Sequence, residues 1–241
     1  MILLVNILVI TVILSEQLCD VSSGRIYGGY YVNIENFPFA VSIGARESLN
    51  CGGVIISPRF ILTAAHCINY ENETYILAGT DDRKEGGTLV NVEDVTIHPE
   101  YATGGVDLAL LKLEKPLHYS AHIRNVALPS YSKTIDVENG TVCGWGYPGN
   151  TYDDPTLLKA VDLNIDISCE SESLFCVKHS DQIQNACKGD SGGPFVNNDV
   201  LYGIVSYAQI LYNYCPVPGT AVKMVKIPYH INWIKENANI I

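Results

Sequence analysis

The stretch Gly189-Asp190-Ser191-Gly192-Gly193-Pro194 places a serine between glycines. A turn of this composition can expose the Ser191 hydroxyl and aim backbone N–H groups at one point, as a nucleophilic serine requires. Gly189 carries no Cβ that would obstruct a substrate carbonyl, so we expect the N–H groups of Gly189 and Ser191 to form an oxyanion hole. Taken alone, the motif is equally compatible with an ordinary turn.

A nucleophilic serine also needs a base and an acid that orients the base. His66 follows a predicted strand in Leu62-Thr63-Ala64-Ala65-His66-Cys67. Asp107 precedes the apolar run Leu108-Ala109-Leu110-Leu111, where an acid is well placed to hold one tautomer of an imidazole. Singly, such a histidine is commonly a loop residue and such an aspartate a strand cap. Their chain order, His66 then Asp107 then Ser191, is that of the chymotrypsin-like arrangement.

These motifs resemble the trypsin/chymotrypsin family of serine proteases (peptidase family S1), and the resemblance runs from Ile26 to about Lys235. It rests on five ordered stretches: Ile26-Tyr27-Gly28-Gly29, Thr63-Ala64-Ala65-His66-Cys67, Asp107-Leu108-Ala109-Leu110, Cys143-Gly144-Trp145-Gly146 and Gly189 to Pro194. The family implies an all-β fold of two six-stranded antiparallel Greek-key barrels with a C-terminal helix, covering about residues 26–125 and 126–241. It also implies that His66, Asp107 and Ser191 are the catalytic residues.

The hydrophobic pattern independently predicts many short strands without intervening helices. The segment from Val161 to Ile167 alternates aliphatic and polar residues with a period of two. Only the end of the chain has a helical pattern, from Tyr229 to Asn237 after Pro228. No linker divides the chain, and the changeover between barrels is expected near Asn125 to Pro129.

The amino terminus is predicted to be removed in two steps. Ile2 to Leu14 is almost continuously apolar and too short to span a bilayer, which is typical of a signal peptide within residues 1–19. Cleavage after Ser15, Cys19 or Ser23 is compatible with the sequence, and a buried strand is the alternative for the apolar run. Residues 20–25 are then an activation propeptide. In relatives, cleavage after a basic residue frees an amino group that pairs with the Asp before the nucleophile. The corresponding residues of this chain are Arg25, Ile26 and Asp190.

The resemblance also identifies a substrate pocket with unusual residues. Asn185 stands at the position six before Ser191, where a trypsin has the Asp that pairs with Lys or Arg, so we expect tryptic preference to be lost. The other pocket positions are Ser206, Tyr207, Ala208 and Gly219. Ala208 replaces the Gly of open pockets and is expected to narrow the entrance, whereas Gly219 is expected to keep the opposite wall open.

Eight cysteines indicate disulfides and an oxidising compartment. Family pairing implies Cys51–Cys67, Cys169–Cys176 and Cys187–Cys215. Cys143 is left over, because its usual partner would stand six residues after the nucleophile, at Asn197. A buried thiol or a bond to Cys19 in a retained pro-segment are the alternatives for Cys143.

We expect no cofactor and no metal. The cysteine spacings lack the short pairs of a zinc site. The segment that corresponds to the calcium-binding loop of some trypsins has Thr80 in place of an acidic ligand and also contains the cationic residues Arg83 and Lys84, which argues against calcium. The net charge of −11 argues against binding to nucleic acid or anionic membranes. Asn72 and Asn139 begin glycosylation sequons. We expect a secreted monomer that acts on protein or peptide substrates, with an activating protease and protease inhibitors as further partners.

Two functions of different classes are compatible with these residues. The first is an active secreted serine endopeptidase, made as a zymogen and non-tryptic in specificity. The second is a low-activity homologue that binds a partner or sequesters an inhibitor. The complete set of His66, Asp107 and Ser191 favours the enzyme, while Asn185, Ala208 and the long rim from Gln209 to Tyr214 favour the homologue.

Overall fold

The computed structural model describes residues 29–44, 51–68, 74–147, 156–180, 184–208, 210–212, 215–216 and 220–240, with only the backbone at 208, 210–212 and 215–216. The predicted signal peptide, the Arg25-Ile26 cleavage site, Asn72 and Gly219 lie outside these residues. Within them, the predicted architecture is confirmed. Two closed antiparallel barrels are followed by one C-terminal helix.

Barrel 1 contains six strands in the spatial order β2-β3-β4-β7-β6-β5. They are β2 (Ala40–Ile43), β3 (Cys51–Ser57), β4 (Phe60–Thr63), β5 (Tyr75–Ala78), β6 (Thr88–Ile97) and β7 (Ala109–Leu113). Strands β2, β3 and β4 pair in sequence order, as do β5, β6 and β7. The strand β4 pairs with β7 and not with β5, and pairing between β2 and β5 closes the barrel in a Greek-key order.

Barrel 2 contains six strands in the order β9-β10-β15-β12-β11-β8, and pairing between β8 and β9 closes it. They are β8 (Asn139–Gly144), β9 (Lys159–Asp166), β10 (Leu174–Lys178), β11 (Pro194–Asn197), β12 (Val200–Ala208) and β15 (Val222–Lys226). A short strand, β1 (Tyr30–Tyr31), adds to the β9 edge, and β13 (Ile210–Tyr212) pairs with β14 (Cys215–Pro216) as a separate ribbon.

The alternation predicted for residues 161–167 is observed in β9 but does not reach the end of the predicted segment, because β9 ends at Asp166 and Ile167 begins a short 3-10 turn, where it is 80% exposed. Val161 and Leu163 are buried in the second barrel, while Asp162 and Asn164 are exposed. Burial of such aliphatic side chains contributes about 1.5–3 kcal/mol each, so a shift of one residue in register would exchange the buried and exposed faces of the strand.

The helix α1 (Ile227–Ala238) begins two residues earlier than predicted. Pro228 lies inside its first turn, where the missing N–H costs no hydrogen bond, and not ahead of the helix. Ile231 and Ile234 are buried against the barrels. In the part of the chain that the structure covers, α1 is the one α-helix, and no helix is long and apolar enough to cross a membrane.

The connection between the barrels, residues 114–138, contains no strand, and Ala127 makes a single bridge to Val200. The changeover predicted near Asn125 to Pro129 falls inside this connection. The two barrels also meet directly, where the Gly52 N–H on β3 donates to the Ser191 carbonyl oxygen at 2.8 Å. The seam between the barrels therefore runs past the predicted nucleophile.

Candidate active site

A cleft of about 510 Å³ lies at the seam, and both barrels contribute to its walls. His66 follows β4, and Asp107 precedes β7. Ser191 lies in the turn before β11, and Ser206 and Tyr207 lie on β12. The cleft is lined by all five of these residues. Residues far apart in the sequence are thereby brought to one surface.

His66 and Asp107 are joined by two hydrogen bonds. The His66 Nδ1 and an Asp107 carboxylate oxygen are 2.7 Å apart, and the backbone N–H of His66 donates to the other carboxylate oxygen at 2.9 Å. The Ser206 hydroxyl also donates to Asp107 at 2.7 Å. Because the carboxylate accepts from Nδ1, the ring nitrogen Nε2 is left as the basic atom of a neutral imidazole.

Burial opposes ionisation of Asp107 and would raise its pKa. Hydrogen bonds from the His66 ring, the Ser206 hydroxyl and the His66 N–H outweigh that effect, so the pKa of Asp107 is below its usual value. The carboxylate is therefore ionised at neutral pH and can stabilise a protonated imidazole. Its side chain is 17% exposed, against 39% for His66.

Ser191 is held in place by backbone contacts to both barrels. Its carbonyl oxygen accepts from Gly52, and the next N–H, that of Gly192, donates to Val205 on β12 at 2.7 Å. Gly192 has φ of 78°, and a Cβ there would collide with the backbone of Gly52 and the side chain of Thr63. A glycine is therefore required directly after the predicted nucleophile.

The two predicted oxyanion donors are free of partners in the described part of the chain. Neither the Gly189 N–H nor the Ser191 N–H donates a hydrogen bond there, whereas the intervening Asp190 N–H donates to Cys187. Gly189 has φ of 97°, which L side chains rarely adopt. Two unpaired N–H groups beside a cleft are suited to bind a negatively charged oxygen.

Asp190 is completely buried below this turn. Its carboxylate accepts from the N–H of Gly146 and from that of Cys187, both at 2.8 Å. Burial raises its pKa to about 6, because the two hydrogen bonds only partly offset the loss of hydration. Among the described residues no cation lies within ion-pair distance of this carboxylate.

The amide of Asn185 is engaged by the backbone. Its Nδ2 donates to the Thr220 carbonyl oxygen at 2.8 Å, and its Oδ1 accepts from Ala186 at 3.0 Å. The side chain is 6% exposed. The predicted pocket base is therefore uncharged and already hydrogen-bonded.

The opposite wall of the predicted pocket is not described, because Gly219 lies outside the described residues. Ala208 on β12 pairs in register with Val222 on β15, and Val222 is buried in the apolar core of barrel 2. The pocket roles of Ala208 and Gly219 therefore stay predictions.

Two of the predicted disulfides are present, Cys51–Cys67 beside His66 and Cys169–Cys176 before β10. Cys187 is disulfide-bonded, and the side chain of its predicted partner Cys215 lies outside the described residues. Cys51, His66 and Cys67 form the one cluster of metal-ligand residue types found in the described part, but the disulfide uses both of its sulfur atoms. Asn139 of the second sequon is exposed at the start of β8.

Cys143 is buried and carries a free thiol. Burial raises its pKa well above the usual value, and the nearby Asp190 acts in the same direction. Cys143 does not face Asn197, the position at which the family resemblance placed its usual partner. Val196 pairs with Thr141, and the Asn197 amide donates to Asn139 O at 2.9 Å. The register therefore separates Cys143 from the position of its expected partner.

Known proteins resemble this chain over nearly all the described residues. The sequence model of the Trypsin family matches residues 26–234. Trypsin 5G1 of Aedes aegypti is 32% identical over 237 residues, which cover 89% of this chain and 85% of that protein. Hypodermin-B of Hypoderma lineatum is 34% identical over 234 residues, covering 89% and 88%.

Ovochymase of Halocynthia roretzi is 36% identical over 247 residues, covering 92% of this chain but 15% of that longer protein. The family match spans both barrels and includes His66, Asp107 and Ser191. With this fold and this extent of similarity, the chain belongs to the trypsin family of serine proteases.

Proposed function

We propose that the protein is a serine endopeptidase with His66, Asp107 and Ser191 as its catalytic residues. The observation that carries the proposal is the joint placement of Asp107, His66 and Ser191 in one cleft beside two unpaired backbone N–H groups. This combination supplies a base, an orienting acid, a nucleophile and oxyanion donors.

The proposed reaction proceeds through an acyl-enzyme. His66 Nε2 takes the hydroxyl proton as Ser191 Oγ attacks the peptide carbonyl, and the N–H groups of Gly189 and Ser191 stabilise the oxyanion. His66 then donates that proton to the leaving amine. Water attacks the acyl-enzyme with His66 again as base, which releases the acid product and restores Ser191. Asp107 stays ionised and stabilises the imidazolium.

The proposed zymogen switch depends on Asp190. Cleavage after Arg25 frees the Ile26 ammonium, which pairs with a carboxylate that is fully buried and lacks a cation among the described residues. The pair orders the turn that carries Gly189 and Ser191, because Asp190 lies between them. The protease that cleaves after Arg25 is a partner, and the signal peptide directs secretion.

For the substrate side chain that enters the Asn185 pocket, the proposed specificity is for uncharged residues. Asn185 carries no charge, and its amide is occupied by the Thr220 carbonyl oxygen and the Ala186 N–H. A Lys or Arg side chain of a substrate would therefore find no carboxylate in this pocket to compensate the loss of its hydration. The same features favour the second candidate, a low-activity homologue that binds an inhibitor or partner.

Labelling with a fluorophosphonate separates the two candidates. We expect the protein cleaved after Arg25 to be labelled stoichiometrically at Ser191 and to hydrolyse peptides. Arg25→Gln should remain uncleaved and unlabelled, and Ser191→Ala should be cleaved but unlabelled; mass spectrometry reports both events. Absence of labelling after confirmed cleavage would support the homologue, and full labelling of Arg25→Gln would contradict the switch.

A further inference from the structure

The cleft beside His66 and Ser191 is largely apolar on the side away from the Ser191 turn. Its wall there is formed by Tyr101, Gly105, Val106, Leu174 and Tyr207. Among the described residues that line the cleft, Lys223 is the one lysine or arginine. The sequence pattern alone did not single it out.

Lys223 reaches the cleft because of its position in β15. The neighbouring Val222 and Met224 are fully buried in barrel 2, so the alternation of the strand turns Lys223 outward, where it is exposed. It pairs in register with Tyr207 of β12. Directly opposed residues share one face of a sheet, so the ammonium and the Tyr207 ring border the same cleft.

The charge of Lys223 is not neutralised within the described part of the chain, where no carboxylate forms an ion pair with it. Four carboxylates of neighbouring elements have other partners: Asp107 with His66, Glu170 with Lys226, Glu172 with Lys133, and Asp166 with Lys178. A fifth, Glu100, lies next to Tyr101 of the cleft wall but forms no ion pair with Lys223 in the described part of the chain. The cleft thus presents a free cation in a protein whose net charge is −11.

We propose that Lys223 makes this cleft select peptides that carry an acidic side chain close to the scissile bond. The inference rests on the proposed endopeptidase function and adds a substrate class to it. The substrate carboxylate would form with Lys223 the ion pair that no carboxylate of the described chain forms. Apolar substrate residues would contact the wall formed by Tyr207 and Leu174. Exposed ion pairs contribute about 0.2–1 kcal/mol, which corresponds to a selectivity of up to about 5-fold.

The test uses the activated protein and short peptides that share one cleaved bond. Glu, Gln or Lys is placed in turn at each flanking position. At low salt we expect kcat/KM to favour Glu over Lys by about 3- to 5-fold at one position or more, with the ratio falling as salt screens the charge. Lys223→Glu should abolish or reverse this ratio, and Lys223→Gln should bring it close to unity.

Lys115→Glu is the matched control, because Lys115 is exposed, changes the net charge equally and does not line the cleft. It should keep the wild-type ratio. Fluorophosphonate labelling of Ser191 verifies that each variant is folded. An unchanged Glu-to-Lys ratio in correctly labelled Lys223→Glu overturns the proposal, as does an equal change in Lys115→Glu.

Binding to Ser191→Ala separates this inference from the endopeptidase proposal, because it requires no hydrolysis. Calorimetry with the same peptides should give a lower Kd for the Glu peptide, and Lys223→Glu should remove the difference. If Ser191 is never labelled while this preference holds, the endopeptidase proposal fails and the acidic selectivity of the cleft stands. Equal Kd values for both peptides overturn the selectivity.

Discussion

At the scale of single residues, hydrogen bonds fix both the proposed orienting acid Asp107 and the proposed pocket base Asn185. Asp107 holds His66 with two hydrogen bonds, and a third comes from Ser206. At Asn185, by contrast, a neutral amide replaces a charge, and its donor is occupied by the Thr220 carbonyl. Asn185 therefore joins two segments of the chain through its amide, in addition to its proposed role in specificity.

We expect Asn185→Asp to lose stability without gaining tryptic activity. An ionised carboxylate in place of this amide would face the Thr220 carbonyl oxygen, and two buried acceptors without a proton between them cost about 1–3 kcal/mol. Burial would raise the pKa of the introduced carboxyl group above its unfolded value. The loss of unfolding free energy relative to wild type is therefore small below the pKa of this carboxyl group in the unfolded chain. The loss grows as the pH rises through its pKa in the folded protein.

Thermal unfolding at pH 4 and pH 7 measures this effect, and a peptide library measures the specificity. The deficit in unfolding midpoint should be larger at pH 7, and cleavage after Lys or Arg should remain below cleavage after neutral residues. Asn185→Ala is the control, since it also loses the hydrogen bond but has no charge and should show an equal deficit at both pH values. Efficient cleavage after Lys by Asn185→Asp would contradict the expectation that Ala208 narrows the pocket entrance.

At the scale of elements, α1 is attached to the barrels through a buried pair of histidines. His230 on α1 and His98 after β6 are in edge-to-face contact, with ring centroids 5.0 Å apart, and the Trp233 ring lies 4.8 Å from His98. Both histidines are almost fully buried, and His98 Nδ1 accepts from the Glu100 N–H. Such a contact is favourable only while both rings are neutral.

Burial and, to a smaller extent, proximity to His98 lower the pKa of His230 to about 4, although a hydrogen bond to the backbone of Ser173 opposes the shift. Burial also lowers the pKa of His98, with Glu100 acting against it. Above the unfolded pKa of about 6.5, neither state binds these protons. Between about pH 6.5 and 4 the unfolded chain binds more protons, so stability falls as the pH falls.

We expect His230→Phe to reduce the decrease in unfolding midpoint between pH 7 and pH 4.5 by roughly 3 °C or more. The phenyl ring keeps the contact with His98 but cannot be protonated. Scanning calorimetry of both proteins across this range measures the difference. His118→Gln, at an exposed position, is the control and should leave the slope unchanged. Parallel slopes for wild type and His230→Phe would show that the buried histidine pair does not govern acid stability.

At the scale of the whole molecule, the junction of the barrels contains the turn on which the proposed activation and the proposed catalysis both depend. The Ser191 carbonyl oxygen accepts from Gly52 of barrel 1, and the Gly192 N–H donates to Val205 of barrel 2. Asp190, directly before Ser191, accepts from the Gly146 N–H after β8. In the proposed switch, a change in the charge environment of Asp190 acts on this turn.

We expect cleavage after Arg25 to stabilise the protein more at pH 7 than at pH 4.5. The pKa of Asp190 is raised to about 6 by burial, so without a cation its contribution to stability is present below the unfolded pKa and is lost as the pH rises through 6. Pairing with the Ile26 ammonium would lower that pKa and remove the loss at neutral pH.

Unfolding midpoints of the cleaved protein and of Arg25→Gln, measured at both pH values, test this expectation. The gain on cleavage should be several degrees larger at pH 7. Introducing Asp190→Asn into the cleavable protein should remove the pH dependence of the gain, because the amide does not ionise. An equal gain at both pH values would show that Asp190 does not receive the new ammonium.

The sequence by itself determined which family fold the chain adopts and which residues belong to its candidate site. Ordered motifs around His66, Asp107 and Ser191 are local, and the period-two pattern of β9 states which side chains are buried. The strand predicted at residues 161–167 corresponds to β9 at Lys159–Asp166, and the helix start was missed because Pro228 is tolerated in a first turn.

Only the tertiary structure decided which residues from distant segments lie opposite one another. Val222 opposite Ala208, Lys223 beside Tyr207, and Thr141 rather than Cys143 beside Val196 are all consequences of strand register. The Asn185 bond to Thr220 likewise joins segments 35 positions apart. Alternation along one strand specifies its buried face but not its partner. The partner is chosen by the packing of the whole barrel, in which every strand must bury its apolar face at once.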